Sequence, residues 1–321
     1  MIHILDNYDK VLEIHIGHKG VGLLGYIHWA MNQILYAERH NYLPVVNYDE
    51  AYGNYFFDPA RGDNMWDYYL EPVAGYGWAD IQRMIDDPAD PLSREHVVKM
   101  TPDELYHFAF ETPDALYPFP YGYWRDNPPP DLDAWFRDQE NKGRRLVREY
   151  IRFKQAVMDR ADEFYRERME GRPLIGVHLR GTDIWYAPRV PARCYPPYID
   201  ALLDKMPEAR LFVASDQEQL VEFMQRRYGD RVVSQDCLRS RTLKNAMVFK
   251  DRNPSEHGEE VLRDALLFSR CSVIVKGPGA VAELARYLNP DIKLIRVPSP
   301  RRRRSFRDWV WAKIALRWQW G

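Results

Sequence analysis

The chain has 321 residues, of which 45% are hydrophobic, with 45 basic and 47 acidic side chains and a formal net charge of −2. That length suits two domains of roughly 150 residues, each with its own core, and the balanced charge excludes a nucleic-acid-binding surface over the whole chain. Cys194, Cys237 and Cys271 are far apart and odd in number, which excludes a disulfide framework and a paired-cysteine metal site. No run of 18 apolar residues exists to cross a bilayer. No basic, then apolar leader opens the chain, so the expected location is the reducing cytoplasm.

In chain order, VLEIHI (11–16) is predicted to be a strand. GVGLLG follows, a full G-x-G-x-x-G at Gly20, Gly22 and Gly25, then a helix over 26–40 and a strand in LPVV (43–46), with Asp49 and Glu50 behind it. Strand, glycine turn, helix, strand and acid form the dinucleotide-binding fingerprint. It admits an NAD-dependent oxidoreductase with Asp49 on the ribose. Asp49 lies 24 residues past Gly25, where the usual step is roughly 20. No Ser/Tyr-x-x-x-Lys pattern accompanies it.

Residues 50–135 are rich in Tyr, Trp, Pro and Gly and read as long loops with short elements, a surface suited to an acceptor. One long helix is then expected through Tyr150, Phe153, Val157, Ala161 and Phe164, ended by Gly171 and Pro173. Beyond it the pattern is regular. Strands are predicted at 173–179, 209–215, 231–234, 271–275 and 293–297. Helices are predicted on the face Leu220, Phe223, Met224 and Tyr228, and at 259–270 and 280–288. Ser215 and Glu218 have the spacing of a capping box. Apolar strands alternating with helices mean a parallel sheet covered on both faces, with its ligand beyond the carboxyl ends of the strands.

Three segments stand at those ends: GVHLRGTD, VASD and KGPG. Arg180 at a strand tip can hold a phosphate through parallel hydrogen bonds, or pair with Asp183 and tie down its loop. KGPG opens a helix, which makes either an anion site or an ordinary tight turn. Asp216 can take a ribose hydroxyl or extend a helix cap. Asp264, within an apolar helix, is either a binding group or solvent-exposed. No His/Cys/Asp cluster has ligand spacing, so no metal is expected.

GVHLRGTD resembles the H-x-R-x-T-D element of the fucosyltransferase superfamily, which includes α1,6-, α1,2- and protein O-fucosyltransferases. LFVASD followed by a helix and GDRVV is similar to the family's next unit. EVLRDALLFSRCSVIVKGPGAVAELARYLNP is similar to its D-x-x-x-L-S-x-C-D segment, and AERHNYLPVV to its first βα unit. The resemblance covers about residues 10–50 and 145–297. It implies an α/β, GT-B-like fold of two Rossmann-type domains facing a cleft. The expected boundaries are an acceptor-side domain at 1–145, a nucleotide-sugar domain at 146–300 and a basic aromatic helix at 301–321.

The implied activity is inverting, metal-independent transfer of fucose or a related sugar from a GDP-sugar to a glycan or glycolipid acceptor, with no cofactor. By position, Arg180 binds the β-phosphate, His178 and Asp264 hold the nucleoside, and Ser215 and Asp216 shape the donor pocket together with Thr182 and Asp183. The backbone of Gly277, Gly279 and Ala280 caps the pyrophosphate, and Gly20, Gly22 and Gly25 line the cleft. For the base that accepts the acceptor's proton, Asp183, Asp126 and Glu50 are the candidates.

Two departures mark this chain. Gly181 stands where relatives commonly carry a second Arg, so Lys276 or Arg189 would have to compensate. GPG replaces a serine-bearing turn. A non-catalytic nucleotide- or glycan-binding relative is a further reading. The tail RRRRSFRDWVWAKIALRWQW reads either as an interfacial helix in peripheral contact with a membrane or as a helix packed on the first domain.

Overall fold

The computed structural model describes residues 3–16, 22–50, 55–112, 115–116, 131–182, 189–242 and 253–299. The chain divides into two compact units, Met1–Gln155 and Ala156–Gly321. The tail 301–321 lies outside the described residues.

The first unit opens with α1 (Ile4–Asn7), β1 (Lys10–Ile14), α2 (Leu23–Arg39) and β2 (Tyr42–Val46). β1 is the centre of a parallel sheet, with β2 on one side and β3 (Val97–Val98) on the other. Helix α2 is buried around most of its circumference, including His28, Asn32 and Gln33. Buried polar groups need partners. Asn32 acts as a substitute peptide: its Nδ2 donates to Leu116 O at 2.8 Å and its Oδ1 accepts from Leu116 N at 2.9 Å. Gln33 does the same for His15, donating to its carbonyl at 2.9 Å and accepting from its N–H at 3.4 Å.

The segment expected to be mostly loop is more regular than its composition implies. It holds α3 (Trp66–Tyr69), α4 (Trp78–Asp86) and α5 (Pro102–Glu111), and α6 (Leu132–Tyr150) starts near its end. Local signals explain two of these. Thr101 and Glu104 form a reciprocal capping box with Pro102 at the first helical position, and the Asp131 side chain accepts from Ala134 N at 2.9 Å.

The single helix expected through Tyr150 and Phe164 is two. α6 ends at Tyr150 and α7 (Gln155–Arg168) begins after a short extended stretch. There Phe153 forms an antiparallel bridge with Leu70, Glu71 N donates to Arg152 O at 2.8 Å and Lys154 N donates to Tyr69 O at 2.9 Å. These bonds satisfy the backbone that a continuous helix would have satisfied internally, so the apolar spacing alone could not distinguish one helix from two.

The second unit is a five-stranded parallel sheet of β4 (Leu174–Leu179), β5 (Arg210–Ser215), β6 (Val232–Val233), β7 (Val273–Lys276) and β8 (Lys293–Arg296). The strand order is β6-β5-β4-β7-β8. The crossovers carry α8 (Pro196–Lys205), α9 (Glu218–Tyr228), α10 (Pro254–Phe268) and α11 (Val281–Leu288). All six residues of β4 are buried. Ile175, Val177 and Leu179 pack with Val213 and Met224, and Leu174 packs with Phe212, Phe268 and Ile274 in a separate cluster. That is the period-2 alternation of a strand covered on both faces. The strand order reverses beside β4, so the tips of β4 and β7 flank the topological switch point, the usual ligand crevice of such sheets. Both units are α/β with parallel sheets, the fold class expected from the sequence.

Candidate functional site

The loop after β4 is built around Asp216, one residue past the end of β5. Its Oδ1 accepts from Gly181 N at 2.8 Å, and its Oδ2 accepts from Thr182 N at 3.2 Å and Thr182 Oγ1 at 2.6 Å. Arg180 Nε lies 3.1 Å from the same carboxylate. Asp216 is thus neither a helix cap nor a solvent-facing acid. It orients Arg180 and draws the backbone of Gly181 and Thr182 across the strand tips. The Arg180 side chain remains a quarter exposed, within reach of a ligand.

Gly181 is fitted to this loop. A Cβ there would stand 2.3 Å from Gln217 Oε1 and 2.9 Å from both Gln217 Cβ and Leu220 Cδ1. A second Arg would force α9 or the loop to move. Ser215 is buried and its Oγ accepts from Gln217 N at 3.1 Å. The capping box expected with Glu218 does not form, because Arg239 takes the Glu218 carboxylate at 3.3 Å and Gln217 is the N-cap.

Next to β4, β7 ends in Lys276 and the Gly277–Ala280 turn that opens α11. Gly277 N donates to His178 O at 3.2 Å, which ties the turn to β4. Gly279 has φ +141°, a conformation that favours glycine, and a Cβ on it would stand 2.6 Å from His178 Cε1. His178 is buried and its Nδ1 has no hydrogen-bond partner among the described residues. Burial, reinforced by the Lys276 and Arg180 charges, lowers its pKa to about 3, so the imidazole is neutral.

Lys276 is buried against Gly279 O at 2.9 Å and Glu283 Oε1 at 2.6 Å. Arg296 on β8 takes the same carboxylate at 3.1 and 3.3 Å. These two cations hold the Glu283 carboxyl well below the usual carboxylate range, although burial opposes them. Lys276 is therefore already engaged and is not a replacement for the second Arg. Arg189 is exposed, its carbonyl accepting from Ser299 Oγ at 3.0 Å.

Asp264, on α10, is half-buried. Burial raises its pKa to about 6, against the pull of Gln235, Arg239 and Arg263. Gln235 is buried, and its Nε2 donates to Asp264 Oδ1 and, at 3.1 Å, to Glu260 O. Its Oε1 has no partner among the described residues. Two acceptors, a carboxylate and a carboxamide oxygen, therefore come together at this edge of the unit.

The structure thus brings together His178, Arg180, Thr182, Ser215 and Asp216 with the turn at Gly277, Gly279 and Ala280. Gln235, Glu283 and Arg296 were missed from sequence, and Lys276 was singled out there without these partners. Only Glu283 left a signal, an acid in the first turn of a helix. Gly22 is the N-cap of α2, and Gly25 lies in its first turn, its N–H donating to Gly22 O at 2.7 Å. Glu50 is exposed. Gly20, Asp126 and Asp183 lie outside the described residues. Among the described residues no helix is long and apolar enough to cross a membrane, and no group of three or more His, Cys, Asp or Glu is placed to hold a metal ion.

No protein-family model matches the chain, and no curated protein matches it. Solved structures do. A FUT1 mutant from Arabidopsis thaliana in complex with GDP aligns with a TM-score of 0.52 at 14% identity, over 91% of this chain and 70% of that one. The fucosyltransferase NodZ from Bradyrhizobium aligns with a TM-score of 0.48 at 17% identity, over 88% of this chain and 94% of that one. POFUT1 in complex with GDP gives 0.48 at 11% identity, over 90% and 98%. What this chain shares with the Arabidopsis structure is its fold, an α/β architecture of parallel sheets that extends over nine-tenths of its length.

Proposed function

We propose that the chain is an inverting, metal-independent glycosyltransferase that takes fucose, or a related sugar, from a GDP-sugar bound at the carboxyl edge of its second unit. The observation that carries this reading is the pairing of strand tips at the switch point. Arg180, oriented by Asp216, directly follows β4, and the Gly277–Ala280 turn, which leads into the N-terminus of α11, follows the adjacent β7. A diphosphate leaving group gains negative charge as the sugar departs. A guanidinium and the N-terminus of α11 supply fixed positive potential where that charge grows. Neutral His178 offers a hydrogen bond without adding charge.

The base is read from hydrogen-bond chemistry. The guanine edge presents N1–H and N2–H donors, which complement the paired acceptors Asp264 and Gln235 Oε1. The matching atoms of adenine present no such donor pair. The acceptor is a glycan or glycolipid, in the latter case with residues 301–321 at the membrane. Its proton passes to a carboxylate, for which Asp183, Asp126 and Glu50 are the candidates. The fold likeness to a fucosyltransferase solved with GDP supports the choice of nucleotide.

A thermal-shift panel of GDP, UDP, CDP and NAD tests this. At 100 times its Kd, a ligand stabilises the fold by about 2.7 kcal/mol. GDP should raise the melting temperature and NAD should leave it unchanged. A shift with NAD alone would return the GVGLLG loop to an oxidoreductase reading. With GDP-fucose as donor, Arg180→Ala should lose about 10²- to 10³-fold in transfer rate while remaining folded.

A further inference from the structure

The sequence suggested Lys276 as a phosphate ligand, and its contacts point to a different role. Its ammonium is buried and donates to Gly279 O at 2.9 Å and to Glu283 at 2.6 Å. Glu283 is the third residue of α11, so its charge sits in the first turn of the same helix whose N-terminus the turn opens. A bare carboxylate there would repel an incoming diphosphate. Arg296 shares the carboxylate at 3.1 and 3.3 Å and the Arg286 charge also acts on it, so the cations around Glu283 outweigh its one negative charge.

Lys276 also sets the direction of a peptide. In a trans peptide the C=O and the following N–H point to opposite sides. With Gly279 O captured by Lys276, the Ala280 N–H is turned away from the ammonium. Gly279 alone would permit other orientations, since glycine adopts a wide range of conformations. An independent observation marks the turn as a ligand site. His178 is 5% exposed, its Nδ1 lacks a partner among the described residues, and that atom lies 3.5 Å from where a Gly279 Cβ would be.

We infer that Lys276 is a positioning residue for the diphosphate: it fixes the Gly279–Ala280 peptide with its N–H toward the anion and, with Arg296, cancels the charge of Glu283, without itself binding phosphate. This rests on the donor-site reading above. It explains how the GPG turn can serve without serine hydroxyls, by locking its backbone donors through a buried ion cluster.

The test is calorimetric titration of the full chain with GDP, GMP and inorganic pyrophosphate, for wild type, Lys276→Met and Lys276→Arg. Losing this charge-assisted contact should weaken GDP and pyrophosphate about 10- to 100-fold. GMP, which lacks the β-phosphate, should bind unchanged, and Lys276→Arg should recover most of the loss. Should Lys276→Met fail to fold, the double variant Lys276→Met/Glu283→Gln removes both partners of the pair and should show a smaller loss, still selective for GDP and pyrophosphate over GMP, because only the orientation of the Gly279–Ala280 peptide is then lost. Equal weakening of GMP and GDP would reduce Lys276 to a structural role, and unchanged GDP binding would overturn the inference outright. Wild type that binds pyrophosphate but not GDP would sink the guanine-nucleotide reading and support the turn as an anion site.

Discussion

Asp264 and His178 are both displaced from their ordinary ionisation, in opposite senses for stability. Burial raises Asp264 to about 6. Its protonated form is the one the fold favours, so its contribution is present below the ordinary carboxylate pKa and is lost as pH rises through about 6. At pH 7 the ionised group strains the fold. Asp264→Asn should therefore stabilise the unliganded chain at pH 7 by up to about 2–3 kcal/mol, a gain that vanishes below pH of about 4, as urea denaturation at the two pH values would reveal. The same variant should bind GDP more weakly, because an amide nitrogen or oxygen replaces an anionic acceptor. A stabilising change that costs binding is the expected signature of a group kept for its ligand. His178 behaves in reverse. Its folded pKa is depressed to about 3, so its contribution is present above about 6.5 and is lost as pH falls toward 3.

At the level of elements, α2 and the strand tips are held by side chains that imitate backbone. Asn32 closes two hydrogen bonds with Leu116 and Gln33 two with His15, each from the buried face of α2. Asn32→Leu is nearly isosteric but leaves a buried N–H and C=O of Leu116 without partners. It should cost about 2–4 kcal/mol, read as a lower denaturation midpoint at constant m-value. A loss under about 0.5 kcal/mol would mean that water or a neighbour takes over both groups. In the second unit Asp216 plays the corresponding part, gathering the Gly181 and Thr182 amides that no strand partner satisfies.

At the level of the whole molecule, the partners named for Arg180, His178, Asp264 and Lys276 all belong to the unit Ala156–Gly321. That unit also contains its own two-faced core. Expressed from Ala156 onward, it should fold and bind GDP within about threefold of the intact chain, since every contact named for the donor site lies within it. Loss of GDP binding in a folded fragment would require donor contacts from the first unit. Much of this architecture was legible in the sequence. The five strands of the second unit and its helices α9, α10 and α11 announce themselves because their apolar patterns are local, whereas α8, which opens on Pro196 and Pro197, was not expected. GVHLRGTD and KGPG could be assigned to strand ends for the same reason. The division of one expected helix at Phe153 was not legible, because the competing bonds come from residues 69–71, remote in sequence. Nor were the partners of the charged groups. From sequence Asp216 was a ribose-binding acid or a helix cap, and in the structure it clamps the β4 loop. Lys276 was, with Arg189, a candidate to replace the missing Arg, and it became the partner of Glu283 and Gly279. Periodicity and turn chemistry act within a few residues, so the sequence by itself determines which segments are strands, helices and turns. Which charge meets which depends on the order and register of five parallel strands, and only their packing into one sheet decided that.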